Sequence, residues 1–247
     1  MSEHIADPID AATVVVARDT DGGIEVLMLR RNSRIYFGGM WVFPGGRVDP
    51  EDRETGDSGI IGCDGLTLNG FRIAAVREAN EEAGIDLSGI SLHHFAHWLP
   101  PAIRPKRFST HFFLAQAPMD IGEISIDNGE ITEHKWVTPS EAMQQRAENE
   151  IEIVTPTFVT LDWLQKFKSV QEAILAIARP ICFHTHIREV TGDDPGMIAF
   201  YPGDISYETL DPATDGPRRR CYMLESSWWW EEHDGKNSGP SLTLKPN

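Results

Sequence analysis

Apolar residues dominate Ala11 to Arg18, Ala-Ala-Thr-Val-Val-Val-Ala-Arg, the texture of a strand covered on both faces. The turn Asp19-Thr-Asp-Gly-Gly23 separates it from a second apolar run, Ile24 to Arg30, so the pair reads as a hairpin. Residues 1 to 10 read as a loose lead-in. Three further strands are expected at Ile90–Leu99, Phe108–Ala117 and Ile131–Val137, the first stopped by Pro100-Pro101. Between them the pattern turns helical. Good helix formers fill Phe71 to Ile85, with Phe71, Ala74, Ala75 and Val76 placed to face a core. Asn69 is the expected cap, and Gly84 stands where a left-handed stop belongs. A second helix starts at Thr138-Pro139-Ser140-Glu141, a capping threonine with proline first and Glu third, and runs to about Asn149. A third helical region opens at Pro156 and extends to Ala178 with a break near Ser169.

Strands alternating with helices in this order predict an α/β layered domain up to about residue 180. From Ile181 the texture becomes β-rich, with strands expected at Ile181–Val190, Met197–Tyr201 and Arg219–Leu224 between Gly, Pro and Asp turns. His184 and His186 would share one face of the first. A structural or surface role suits that pair better than metal binding, since no third ligand is in view. Trp228-Trp229-Trp230 reads as an edge strand or interface patch, and the polar stretch 231–247 as a disordered tail. The sections are therefore 1–180, a 181–230 extension and the tail.

Composition narrows the class. Hydrophobic content of 40% and charged content of 24% are those of an ordinary globular protein, and no run approaches the length of a membrane span. The start of the chain lacks the basic and apolar segments of a signal peptide. Cys63, Cys182 and Cys221 are few and widely spaced, which predicts neither a disulfide framework nor a zinc site and suits a reducing cytoplasm. The net charge of −16 opposes binding to nucleic acid or an anionic membrane. It also opposes a small polyanion unless cations and local basic groups reverse the potential. Two basic patches can do so, Arg30, Arg31 and Arg34 in one and Arg104, Lys106 and Arg107 in the other.

The candidate chemistry lies on the 71–85 helix. Glu78, Glu81 and Glu82 are spaced i, i+3 and i+4, so their carboxylates share a face and repel one another. A solvated acidic surface is the ordinary reading of such a run. Two details oppose it. Arg77 stands four residues before Glu81 and can fix its rotamer, and the acids sit near the helix C-terminus, where the macrodipole disfavours negative charge. A hard cation such as Mg²⁺ or Mn²⁺ would relieve the repulsion, because carboxylate oxygens are its preferred ligands. Upstream, Trp41-Val-Phe-Pro-Gly-Gly-Arg-Val-Asp49 brings a tight glycine turn that can present bare backbone.

Together these segments resemble the Nudix box, G-x5-E-x7-R-E-U-x-E-E-x-G-U. Arg77-Glu78-Ala79-Asn80-Glu81-Glu82-Ala83-Gly84-Ile85 matches its second half, with Ala79 where a bulkier aliphatic residue is usual. Gly46 opens the first half, and Asp52 stands where Glu is expected. Between Asp52 and Arg77 lie 24 residues, 17 more than the consensus spacing. The extra segment, Arg53 to about Asn69, has loop composition, and an extension of that kind costs little closure entropy. Phe43–Asp49, Lys106–Phe113, Trp136–Ala142 and Gly196–Asp204 also resemble the peroxisomal coenzyme A diphosphatase branch, which carries an insertion in its Nudix box.

The resemblance implies a Nudix α/β/α sandwich with a small β-rich C-terminal extension. It implies metal-dependent hydrolysis of a phosphoanhydride, with coenzyme A or acyl-coenzyme A as first substrate. ADP-ribose, NADH, a dinucleotide polyphosphate or a non-catalytic nucleotide sensor are the alternatives. Glu78, Glu81, Glu82 and the Gly45 carbonyl would hold Mg²⁺ or Mn²⁺, and Arg77 would orient the carboxylates. Glu130 is a further ligand or base, with Glu133 as its rival. Arg30, Arg31, Arg34, Lys106 and Arg107 are candidates for substrate phosphates, and a homodimer is a candidate assembly.

Overall fold

A computed structural model describes residues 7–34, 37–53, 67–102, 106–127 and 129–235. The predicted hairpin forms from β1 (Ile9–Thr20) and β2 (Gly23–Arg31), paired antiparallel from Ala17↔Val26 to Thr20↔Gly23. Beyond that point the two strands part, and β3 (Trp41–Val42) and β4 (Gly45–Arg47) fill the gap. β3 pairs with β2 through Leu29↔Val42, and β4 pairs with β1 through Thr13↔Gly45 and Ala11↔Arg47. The Phe43-Pro44 corner therefore crosses from one strand to the other, tied by the Val14 amide donating to the Pro44 carbonyl at 2.9 Å.

The remaining strands of this eight-stranded mixed sheet are β5 (His93–Leu99), β6 (Phe108–Gln116), β7 (Ile131–Val137) and β8 (Ile181–His184). β1 runs parallel to β6, and β5 parallel to β8, with the other pairs antiparallel. β5 begins at His93 rather than Ile90, because the chain first makes the Leu87–Ile90 turn, closed by the Ile90 amide on the Leu87 carbonyl.

One face of the sheet is covered by α2 (Asn69–Ala83), whose Phe71, Ala74, Ala75 and Ala79 pack on Ala12, Val14, Leu27 and Phe113. The small alanines let this helix lie close to the strands. The other face is covered by α3 (Pro139–Ala147), α4 (Thr155–Leu164) and α5 (Val170–Ala176), with Val15, Met28, Phe112, Phe158 and Leu161 in the layer between. This is the expected α/β/α arrangement. Thr138 closes the predicted capping box with Glu141, and Ser169 caps α5 at the predicted break. A one-turn helix, α1 (Pro50–Arg53), was not expected.

Several sequence expectations need correction. Asn69 is the first residue of α2 rather than its cap; Leu68 holds the cap position and its side chain makes no capping hydrogen bond. His184 and His186 do not share a strand. Thr185 separates them, its amide donating to Leu99, and β9 (His186–Val190) enters a second sheet. That sheet orders β12-β11-β10-β9, with β10 (Gly196–Phe200), β11 (Arg218–Leu224) and β12 (Trp228–His233). The three tryptophans do form an edge strand, but it continues through His233, into the stretch read as tail. Cys182 is disulfide-bonded, whereas Cys221 is free and buried. The spacing predicted no disulfide framework, yet wide sequence spacing does not report which cysteines fold close together. Residues 54–66 of the inserted segment, Arg104 and the end of the tail, 236–247, lie outside the described residues.

The second sheet is anchored by one buried ion pair. Arg220 forks onto Asp204, with Nε to Oδ2 at 2.7 Å and Nη2 to Oδ1 at 2.6 Å, both side chains being fully buried. Burial alone would raise the Asp204 carboxyl. The Arg220 fork and the amides of Arg219 and Ser206 outweigh it and hold the group below its ordinary value. Removing one partner leaves a buried charge unmatched, so Arg220→Ala should cost about 3–5 kcal/mol in urea unfolding. A loss below about 1 kcal/mol would show that Asp204 finds solvent.

Candidate functional site

The acidic face of α2 meets the β3–β4 corner, and a guanidinium group organises the junction. Arg77 donates through Nε and Nη2 to the two oxygens of Asp52, at 3.2 and 2.9 Å. Nη1 reaches Glu78 Oε1 at 2.9 Å and Glu81 Oε2 at 3.0 Å, and Nη2 also reaches the Arg47 carbonyl at 2.9 Å. The hydrogen bonding to the Asp52 carboxylate is the largest influence keeping this guanidinium charged, against the opposing effect of burial. Asp52 is itself buried at the end of α1 and accepts the Asp49 amide. Thus α1 exists to present a carboxylate, and the shorter Asp reaches Arg77 because α1 brings the backbone close.

Glu82 points into the protein and is buried. Its Oε2 accepts the Gly45 amide at 2.9 Å, and its Oε1 lies 3.6 Å from Arg31 Nη1. Desolvation pushes the carboxyl up to about 8, against the lowering effect of Gly45 and Arg31, with Glu78 and Glu130 adding repulsion. Desolvation likewise raises Glu78 above its ordinary value. Gly45 is required by close approach, since a Cβ there would lie 2.4 Å from the Ala12 carbonyl. A Cβ on Gly46 would lie 2.3 Å from Glu78 Oε1 and push that carboxylate aside.

Glu130, just before β7, accepts Arg31 Nη2 at 2.8 Å and adds repulsion at Glu78 and Glu82. It is aimed by Asp127, whose carboxylate accepts the amides of Glu130 and Ile131. Its rival Glu133 pairs instead with Arg30, one residue along β2 and on the opposite side of the strand from Arg31. Of the predicted basic groups, Arg31 thus sits among the acids and Arg30 does not. Arg34 is exposed on the loop after β2. Lys106 and Arg107 precede β6, whose Phe108 pairs with Ile9, while Ala11 two residues on pairs with Arg47 of β4. Asp127 and the Arg47 carbonyl were missed by sequence reasoning. Neither belongs to a spaced motif; only the fold brings them in.

Glu78, Glu81, Glu82 and Glu130 offer carboxylate oxygens around a backbone turn, a donor set suited to a hard divalent cation. Two of the four are held above the ordinary carboxylate range by burial and mutual repulsion, which a cation would reverse. Arg31 and Arg77 hold the four apart: among the described residues no three acids bring their oxygens within 4.8 Å of one another.

The sequence model of the NUDIX domain family matches residues 8–158, which include every element of this junction. The chain belongs to the Nudix family. Nudix hydrolases generally use divalent metal ions. Among curated relatives, a putative nudix hydrolase 7 of Caenorhabditis elegans is 28% identical over 210 residues, covering 70% of this chain and 66% of that protein. The acyl-coenzyme A diphosphatase NUDT19 of Xenopus laevis is 34% identical over 136 residues, covering 52% and 35%, respectively. The human protein of that name is 26% identical over 220 residues, covering 64% of this chain and 55% of its own length. The chain therefore spans between 35% and 66% of the lengths of these relatives. A crystal structure of a NUDIX hydrolase from Alicyclobacillus acidocaldarius has the same fold, with a TM-score of 0.63 and 24% identity, covering 70% of this chain and 98% of that one.

The burial of Glu82 makes a prediction for the metal-free protein. Its folded value of about 8 lies above the ordinary 4.5, so below pH 4.5 the carboxyl is neutral in both states and its burial carries no ionisation penalty. As pH rises toward 8 the unfolded state gains by ionising and the fold loses stability, by about 3 kcal/mol at pH 7. In EDTA, Glu82→Gln should be more stable than the parent at pH 7 and indistinguishable near pH 4.5. Urea titrations at the two pH values check this, and a variant less stable at pH 7 would contradict it.

Proposed function

We propose that this chain hydrolyses a phosphoanhydride bond in a nucleoside diphosphate derivative, with Mg²⁺ or Mn²⁺ held by Glu78, Glu81, Glu82, Glu130 and the Gly45 carbonyl. The observation that carries the reading is the junction itself: four carboxylates, two of them raised by burial, facing a turn stripped of side chains. The bound ion would neutralise diphosphate oxygens and lower the pKa of an attacking water. The protein groups do the positioning. Arg77 fixes the rotamers of Glu78 and Glu81 and ties the helix to Asp52, so it acts through the carboxylates rather than on the substrate. Arg31 holds Glu82 and Glu130 on one guanidinium, which makes it a positioning residue first. Glu130 is the carboxylate outside α2 available to hold the metal or take the proton of the attacking water, whereas Glu133 is engaged by Arg30.

Coenzyme A or an acyl derivative is the substrate we favour, with 3′,5′-ADP and (acyl-)4′-phosphopantetheine as products. The likeness to proteins named acyl-coenzyme A diphosphatase supports this. So do the basic groups Arg34, Lys106 and Arg107, which interrupt an otherwise acidic chain. A 3′-phosphate held by one of them adds a charge-assisted contact of about 1.5–3 kcal/mol. That favours coenzyme A over dephospho-coenzyme A by roughly ten- to a hundredfold in kcat/KM.

The test is a substrate panel with the full chain in Mg²⁺, its products resolved by chromatography. Coenzyme A should be cut best, and Arg34→Gln or Arg107→Gln should bring its rate down to that of dephospho-coenzyme A. Preference for ADP-ribose or NADH would move the substrate while keeping the chemistry. No cleavage of any diphosphate by the folded, metal-loaded protein would remove the enzymatic reading. In the same assay Glu81→Gln and Glu82→Gln should each lower turnover by two or more orders of magnitude with an unchanged circular dichroism spectrum. Near-normal turnover in either would mean its carboxylate is not a ligand.

A further inference from the structure

A second constellation of metal-ligating side chains lies on the sheet face that α2 covers, on β5, β6 and β8. His97 of β5 and Cys182 of β8 are register partners, and His184 follows two residues along the same face. One ligand atom from each of His97, Cys182 and His184 falls within 4.8 Å of the others. The His97 and His184 rings meet edge to face at 5.4 Å between centroids. His97 is buried, and its Nε2 lies 2.7 Å from the hydroxyl of buried Ser109. Nδ1 of His97 is buried as well. His184 Nε2 is likewise buried and has no hydrogen-bond partner among the described residues. His111 stacks on His97 at 4.3 Å and Phe71 of α2 packs tilted against His111, so the His97 ring is locked from behind.

We propose that His97, Cys182 and His184 form a zinc site that is open only when the disulfide at Cys182 is reduced. Two imidazoles and a thiolate suit Zn²⁺ and not the hard cation of the acidic junction. Zinc bonds of about 2.0–2.3 Å set tetrahedral ligand atoms ~3.3–3.6 Å apart, so the three groups close by about an ångström onto the ion. Three protein ligands leave a fourth position for water or a small anion. The Ser109 contact is the outer partner that orients a ligating histidine.

In the oxidised chain the Cys182 sulfur is committed to its disulfide. A dithiol reductant transfers two electrons and two protons to that bond, giving two thiols and the cyclic disulfide of the reductant. The Cys182 thiol then passes its proton to solvent as its sulfur bonds the metal. Cys221 lies in β11 of the second sheet and is not grouped with these ligands.

Cobalt(II) tests this on the full chain, because a thiolate bound to Co²⁺ gives a near-ultraviolet charge-transfer band that carboxylate ligands cannot give. Protein reduced with a dithiol and desalted under inert gas should take up Co²⁺ with such a band, and Zn²⁺ should abolish it. The oxidised protein should show none. Cys182→Ser should lose the band. His184→Ala and Ser109→Ala should weaken cobalt affinity by about 10- to 100-fold, with unchanged circular dichroism. Absence of the band in reduced protein at saturating Co²⁺, or its survival in Cys182→Ser, would overturn the site. So would unchanged affinity in a folded His184→Ala variant.

Discussion

The Arg77 guanidinium is the group on which the acidic junction depends. A helix that carries three glutamates in its last two turns works against its own dipole and against mutual repulsion. Here the strain is relieved from one side by Arg77, which spans Asp52, Glu78, Glu81 and the Arg47 carbonyl, and from the other by Arg31 and the Gly45 amide. The planar fork is needed because these acceptors lie in different directions, and a lysine ammonium could not reach them together. The same contacts bind α1, α2 and β4 into a unit.

The sheet supplies the other half of the arrangement. Because β1 and β2 diverge after the hairpin, β3 and β4 must bridge them, and the bridge lays Gly45 and Gly46 directly against the glutamates. β1 is anchored along its other edge by nine register pairs with β6, from Ile9↔Phe108 to Ala17↔Gln116, so the bridge is built on a rigid strand. The alanine-rich inner face of α2 sets how near the helix lies. Ala79 occupies a position where the Nudix pattern favours a bulkier residue, and it is fully buried against the sheet. Both the missing side chains at the turn and the small side chains under the helix serve close approach of backbone to carboxylate.

Much of this was legible from local pattern. The hairpin, the Thr138 capping box, the Ser169 break and the Gly84 stop each rest on chemistry confined to a few residues, and each is present; Gly84 has φ 68° and its amide closes on Asn80. What depended on long-range placement was not legible. Asp52 could be matched by motif spacing, but its contact with Arg77 depends on α1, a single turn too short to show a period. Asp127 acts on Glu130 through backbone amides, which no side-chain pattern reports. His184 was paired with His186 by alternation alone, whereas Thr185 turns the chain between two sheets and sends His184 to His97 and His186 to the Tyr207 carbonyl. The same long-range placement brings Cys182 beside two histidines.

The central claim is that the Glu78–Glu82 face and the Gly45–Gly46 turn form a divalent-cation site whose carboxylates are destabilised without the ion. Titration of the full chain with Mn²⁺, following loss of the free-ion signal by electron paramagnetic resonance, measures this without any substrate. The wild-type chain should bind Mn²⁺ in competition with Mg²⁺, and the Glu78→Gln, Glu82→Gln double variant should lose at least tenfold in affinity while remaining folded. Unchanged Mn²⁺ affinity in the folded double variant would contradict the account.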